Sequence, residues 1–169
     1  MGCGDGASND EKEFDLESLN AALTQERAAV EVYARGQPLV RGGFRPAWRE
    51  FRAQEQEYVD GIIKAIRGLG GQDEAEAAEV DFSEVKTQAD FLTLAYELEN
   101  AAIDYYVDVS PQLSTAAPRI LAASLAAGHA QHLVVLRQGL GAGLAEAAPE
   151  AFESGELPPP GAETPPVTE

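Results

Sequence analysis

Two segments of this chain are copies of one another, and each places a carboxylate in the middle of an apolar helical face. The first runs Leu23-Thr24-Gln25-Glu26-Arg27-Ala28-Ala29-Val30-Glu31-Val32-Tyr33 and the second Tyr96-Glu97-Leu98-Glu99-Asn100-Ala101-Ala102-Ile103-Asp104-Tyr105-Tyr106. The glutamate, both alanines and the final tyrosine coincide, Val30 answers Ile103, Glu31 answers Asp104, and the offset is 73 residues throughout. A duplicated helix confines the fold to architectures in which two equivalent units pack on each other. An ionised carboxylate among apolar side chains is costly unless a cation, a metal or a hydrogen-bond donor receives it. Glu26 and Glu99 therefore point to a shared internal site.

Apolar residues recur at helical spacing around each copy and in two further segments. The first helix is expected to begin near Asp15, with Leu16, Leu19, Leu23, Val30 and Tyr33 on one stripe, and to end at Gly36 and Pro38. A second, opened by Pro46, carries Trp48, Phe51, Val59, Ile62, Ile63 and Ile66 inward and stops at Gly68-Leu69-Gly70-Gly71. A third spans Gln88 to Val109, and a fourth runs from Pro118 to about Leu140 through Ile120, Leu121, Leu125, Leu133, Val134 and Leu136. Four helices joined by short, long and short connections read as an all-α four-helix bundle. Its two pseudo-symmetric hairpins, 15–70 and 88–140, are linked by a crossover from Gln72 to Lys86 that Val80 and Phe82 should pin down. The predicted organisation is a disordered tether over 1–13, the bundle over 14–141, and an acidic, proline-rich disordered tail over 142–169.

The net charge of −17 is concentrated in the ends and the connector. Segments 1–17, 72–84 and 146–169 hold eighteen acidic residues and one lysine, so the rest carries eleven of each sign. That distribution excludes a nucleic-acid partner, which needs a basic footprint, and simple electrostatic docking on anionic lipid. No stretch approaches the roughly 20 apolar residues of a membrane span. The single cysteine excludes an internal disulfide. Its setting, Met1-Gly2-Cys3-Gly4 before a polar run, resembles a bacterial lipoprotein freed of its signal peptide, with Cys3 as the lipidated residue. That reading places the protein outside the cytoplasm on a membrane anchor; the other leaves Cys3 a free thiol in a cytoplasmic protein's tail.

The second and fourth helices add to the internal site. Glu55 shares the face of Phe51, Val59 and Ile62, with Tyr58 three residues on; His129 shares that of Leu125, Leu133 and Leu136, with His132 three residues on. Spacing of three keeps each pair on one side of its helix. The inward set is thus Glu26, Glu55, Tyr58, Glu99, His129 and His132. Glu31, Glu57, Glu97 and Asp104 fall outside it, and Tyr33 and Tyr106 read as core tyrosines bonding across the bundle.

This pattern resembles the ferritin-like superfamily, whose bundles carry a dinuclear iron or manganese centre. Glu26 and Glu99, each in a Glu-x6-Tyr setting, match the lone glutamates of the first and third helices. Glu55 and His132 match half each of the family's two Glu-x-x-His pairs. Tyr58 stands where a histidine is expected and His129 where a glutamate is. The resemblance covers residues 15–140 and implies metal binding by the six inward residues, with oxidation of a divalent ion or reduction of peroxide or oxygen. Three carboxylates, two histidines and a phenol disfavour a di-ferric pair and suit one ion of iron, manganese or zinc. The alternative is a metal-free scaffold serving as a cell-envelope interaction module, its glutamates hydrogen-bonded to Tyr58, His132 and neighbours. A homodimer is compatible with the sequence; a cage is not expected with long tails at both ends.

Overall fold

The computed structural model describes residues 8–148, so Cys3 and the tail beyond 148 lie outside the described residues. Four long helices make up a bundle: α1 (Asn9–Gly36), α2 (Phe44–Gly68), α3 (Gln88–Val109) and α4 (Ala116–Gly139), followed by a single helical turn, α5 (Leu144–Ala147). The all-α, short–long–short arrangement is the one that periodicity predicts. No helix among the described residues is long and apolar enough to cross a membrane.

The helix starts differ from expectation for local reasons. α1 begins at Asn9, ahead of Asp15 and inside the stretch expected to be a disordered tether, because Ser8 and Glu11 form a reciprocal capping box. Asp15 is instead buried, and accepts hydrogen bonds from the Ser114 and Thr115 backbone amides at 2.8 and 3.0 Å. It thereby ties α1 to the start of α4. Pro46 and Pro118 lie within the first turns of α2 and α4, where a missing N–H costs nothing, rather than at their first residues. Ile120, one of the apolar positions that mark α4 in the sequence, is 68% exposed. The α5 turn occupies part of the segment expected to be tail, and Ala147 is fully buried. α2 and α4 end alike, with Gly70 and Gly141 at φ of 84° and 104°, the left-handed conformation that favours glycine after a helix.

Side-chain pairings set the directions. Tyr33 meets Glu99 while Glu26 meets Tyr106, so α1 and α3 are antiparallel. Gln54 meets His132 and Tyr58 lies over Gly128, so α2 and α4 are antiparallel as well. The connector between α2 and α3 runs along the bundle without regular structure. Arg27 fastens it through the Ala75 carbonyl and Asp73, and the Ala78 amide donates to the Thr24 carbonyl. Val80 and Phe82 pack against the core as expected, and Arg35 covers the Phe82 ring.

The core comes in two apolar layers. One gathers Leu19, Leu23, Val59, Ile62, Ile66, Tyr106 and Leu125; the other gathers Val32, Tyr33, Trp48, Phe51, Phe91, Leu92, Leu133 and Leu136. On every helix the inward polar residues fall between the two sets, and the fold brings them to one depth.

Candidate metal centre

Glu26, Glu55, Glu99, His129 and His132 are each no more than 2% exposed. Single ligand atoms of Glu55, Glu99, His129 and His132 all lie within 4.8 Å of one another. Metal–ligand bonds of about 2.0–2.2 Å put opposite ligands roughly 4.4 Å apart, so the quartet has dimensions that suit an ion. Its two carboxylates and two imidazoles are an ordinary donor set for divalent iron, manganese or zinc.

The two imidazoles are presented alike. His129 Nδ1 lies 2.6 Å from Glu99 Oε2, and His132 Nδ1 lies 3.1 Å from both Glu99 Oε1 and Glu55 Oε1. Their far nitrogens face fixed acceptors: His129 Nε2 is 3.1 Å from Glu26 Oε1, and His132 Nε2 is 2.7 Å from Gln54 Oε1. Since a carboxylate or amide oxygen accepts, each Nε2 carries a proton and each Nδ1 is turned into the quartet. Metal-binding histidines are commonly oriented in this way. Glu26 thus lies outside the quartet and holds one of its histidines.

Glu99 is bound most fully, receiving Tyr33 Oη besides both histidines. Glu26 receives Tyr106 Oη and His129. The two tyrosine bonds are reciprocal across the duplication, each tyrosine reaching the glutamate of the other copy. Glu55 is the exception. Its Oε1 lies 3.1 Å from His132 Nδ1 and 3.9 Å from His129 Nδ1, in ionic contact with both, but neither Glu55 oxygen has a hydrogen-bond partner among the described residues.

Protonation follows. Burial, then repulsion from Glu99, pushes Glu55 up to about 8. Burial would raise Glu99 too, but the bonds from His129 and His132 hold it down at about 2. Burial lowers both histidines, yet their carboxylate partners win: His132 is raised to about 9 and His129 goes well up. Burial and the adjacent carboxylates keep Tyr33 and Tyr106 protonated far above neutrality.

Tyr58 has a different place from the one expected. Its half-buried ring flanks both imidazoles, 5.2 Å from His129 and 6.1 Å from His132 between centroids. A Cβ at Gly128 would come within 2.2 Å of its hydroxyl, so the phenol is seated where α4 has no side chain. Tyr33 and Tyr106, rather than Tyr58, are the phenols that hydrogen-bond the glutamates. Gln54 has no signal in the sequence; nothing in its spacing distinguishes it from the other polar residues of α2. The tyrosines are legible in the repeat.

The chain matches the ferritin-like domain family over residues 14–142. It belongs to that family. Similar solved structures include ferritin-like, diiron-carboxylate proteins from Bacillus anthracis, at 23% identity and TM-score 0.69, covering 80% of this chain and 100% of that one. A conserved hypothetical protein from Mycobacterium tuberculosis matches at 24% identity and TM-score 0.72, covering 79% and 94%. A dodecameric thioferritin from Bacteroides fragilis matches at 20% identity and TM-score 0.64, covering 76% and 85%. At these identities the likeness establishes the bundle fold. No curated protein matches the chain.

Proposed function

We propose that this ferritin-like protein binds one divalent transition-metal ion, iron or manganese, through Glu55, Glu99, His129 and His132. The observation that carries the reading is Glu55, a fully buried carboxyl group that faces two imidazoles and has no hydrogen-bond partner for either oxygen among the described residues. A buried polar group left unsatisfied costs about 1–3 kcal/mol, and a cation removes that cost. The Bacillus proteins are named for two irons, but the two carboxylates of this quartet balance one divalent charge. Tyr58 stands where a histidine ligand is expected and His129 where a carboxylate is, and Glu26 is engaged with Tyr106 and His129, which leaves too few free donors for a second ion.

When bound, iron or manganese supplies one-electron chemistry toward oxygen or peroxide. The protein's own part is to hold the ligands and manage protons. Gln54 and Glu26 fix both Nε2–H groups and so aim both Nδ1 atoms. The apolar layers on either side exclude water. Binding displaces protons from both Nδ1 atoms and from Glu55, three in all at neutral pH.

Metal analysis of protein purified without chelator, followed by anaerobic titration with iron(II) and manganese(II), tests the reading. The expected result is one ion per chain with proton release and a raised melting temperature. No stoichiometric ion and an unmoved melting temperature would leave the metal-free scaffold as the function of the fold.

A further inference from the structure

The turn from α1 into α2 is strongly basic in an otherwise acidic chain. Arg41, Arg45, Arg49 and Arg52 are four of its twelve basic residues, all four are exposed, and Glu50 is the only carboxylate between 36 and 52. Glu50 is bonded to Gln54. The arginine ion pairs among the described residues, Arg27 and Arg67 with Asp73, do not include the four. Arg41 and Arg45 donate instead to the Pro38 and Val40 carbonyls, and Arg52 to the Gln37 amide oxygen. Those bonds hold the side chains and leave their charge uncompensated. Arg45 and Arg49 line a cleft of about 500 Å³ together with Gln37, Pro38, Val40 and Trp48.

We propose that residues 149–157 of the same chain dock on these arginines and into the cleft. Glu150, Glu153 and Glu156 bring carboxylates with no basic residue among them, and Phe152 and Leu157 bring apolar side chains to a wall that includes Pro38, Val40 and Trp48. A guanidinium group receives a carboxylate through paired N–H donors. Position agrees with charge. α4 ends beside the start of α2: a Cβ at Gly139 would come within 3.0 Å of the Phe44 ring, and Leu140 packs on the layer that holds Val40 and Trp48. The α5 turn packs on α4 there and buries Ala147. The chain thus leaves the bundle about one to two helix diameters of 10–12 Å from the cleft. Glu156, eight residues beyond Ala148 (156 − 148), reaches about 26–29 Å when extended. Exposed ion pairs are individually weak, but a short tether holds the segment at an effective concentration in the millimolar range. Docked, it straps the end of the bundle over Trp48, whose ring stacks on Tyr33 at 4.2 Å between centroids. The inference does not require the quartet to hold a metal.

Nitrogen-15 relaxation of the full-length protein tests it, with the indole resonance of Trp48, the only tryptophan, reporting on the cleft. In low salt, backbone order parameters over 150–157 should exceed those over 163–169, which should stay below about 0.6. Sodium chloride at about 1 M, with a screening length of about 3 Å, should abolish the difference and shift the indole resonance. Arg45→Gln/Arg49→Gln should do the same. So should Glu150→Gln/Glu153→Gln/Glu156→Gln, a variant that leaves the bundle unaltered. Exchanging the signs, by combining Arg45→Glu/Arg49→Glu with Glu150→Lys/Glu153→Lys/Glu156→Lys, should restore the ordering. Equal order parameters over 150–157 and 163–169 in the unaltered chain, or ordering that survives either neutral variant, would overturn the inference. So would ordering that vanishes on dilution, since the segment then docks on a second copy. A Trp48 shift on adding sodium phosphate, with 150–157 no more ordered than 163–169, would overturn it too, since the arginines then serve an external anion.

Discussion

The α1–α3 half of the site and the α2–α4 half descend from the same duplication and have diverged by different amounts. In α1 and α3 the repeat is intact: Tyr33 donates to Glu99 and Tyr106 to Glu26, one bond the image of the other. In α2 and α4 nothing is paired by symmetry. Glu55 is bare of hydrogen bonds, Tyr58 is lodged over Gly128, and both histidines come from α4. The contrast separates two duties. The symmetric half braces the bundle with charge-assisted bonds, and under the proposed metal binding the asymmetric half would set which ion is held and how many protons leave with its entry.

The largest expected effect falls on Glu99, because it belongs to both halves. Glu99→Leu removes the acceptor of Tyr33, His129 and His132 at once. Loss of one partner from a buried ionic network costs about 3–5 kcal/mol, which urea denaturation of the metal-free protein would measure. Glu26→Leu, releasing only Tyr106 and His129, should cost less. Equal costs would erase the distinction between the brace and the quartet.

Next comes pH. His132 and Glu55 hold protons more tightly in the folded chain, at about 9 and about 8 against 6.5 and 4.5. Their contributions are complete below the unfolded values and are lost as pH rises through the folded ones. Glu99, held at about 2, contributes fully above 4.5 and loses its share as pH falls toward 2. The cluster of the metal-free protein is therefore most stabilising near pH 4.5, and its contribution declines from there toward pH 9, first through Glu55 and above 6.5 through His132 as well. Manganese should reverse that slope, since it competes with the same protons. Melting curves at pH 5, 7 and 9 with and without the ion would decide; a metal-free protein stabilised on going from pH 7 to 9 would contradict the assignment.

The brace makes its own prediction. Tyr33→Phe and Tyr106→Phe each delete one phenol bonded to a buried carboxylate, and each should cost about 1.5–3 kcal/mol. Their costs should agree closely, because the two bonds are symmetry copies. Gly128→Ala probes the other half. Its methyl meets the Tyr58 hydroxyl, and crowding of this kind costs about 1–3 kcal/mol, despite the helical preference for alanine. The double variant Gly128→Ala/Tyr58→Phe should recover only part of that loss in the same denaturation assay, because the ring carbon Cζ, 2.9 Å from the added Cβ, remains.

Much of this is legible in the sequence, for identifiable reasons. The repeat and the three-four spacing of apolar residues give the bundle, and the register of Glu26, Glu55, Glu99, His129 and His132 brings all five inward. What the spacing does not supply is which oxygen faces which nitrogen. Gln54 stands out only because α4 sets His132 against it, and the seat of Tyr58 depends on a glycine 70 positions away. The start of α1 departs from expectation although its signal is present: Ser8-x-x-Glu11 is a capping box in a run that its composition disguises as tail.

The smallest expected change in stability tests the metal most directly. Glu55→Gln replaces a carboxyl group raised to about 8, and so mostly protonated at neutral pH, with an amide of the same shape. Neither Glu55 oxygen holds a hydrogen bond that the amide could lose, so the metal-free melting temperature should stay within a degree or so or rise slightly. Metal affinity should fall nonetheless, because an amide brings no charge to the ion. A variant that keeps its metal-free stability and loses its metal assigns Glu55 to binding alone. If the metal-free protein instead loses several degrees, Glu55 belongs to the brace, and the division between the two halves fails at the residue on which it depends.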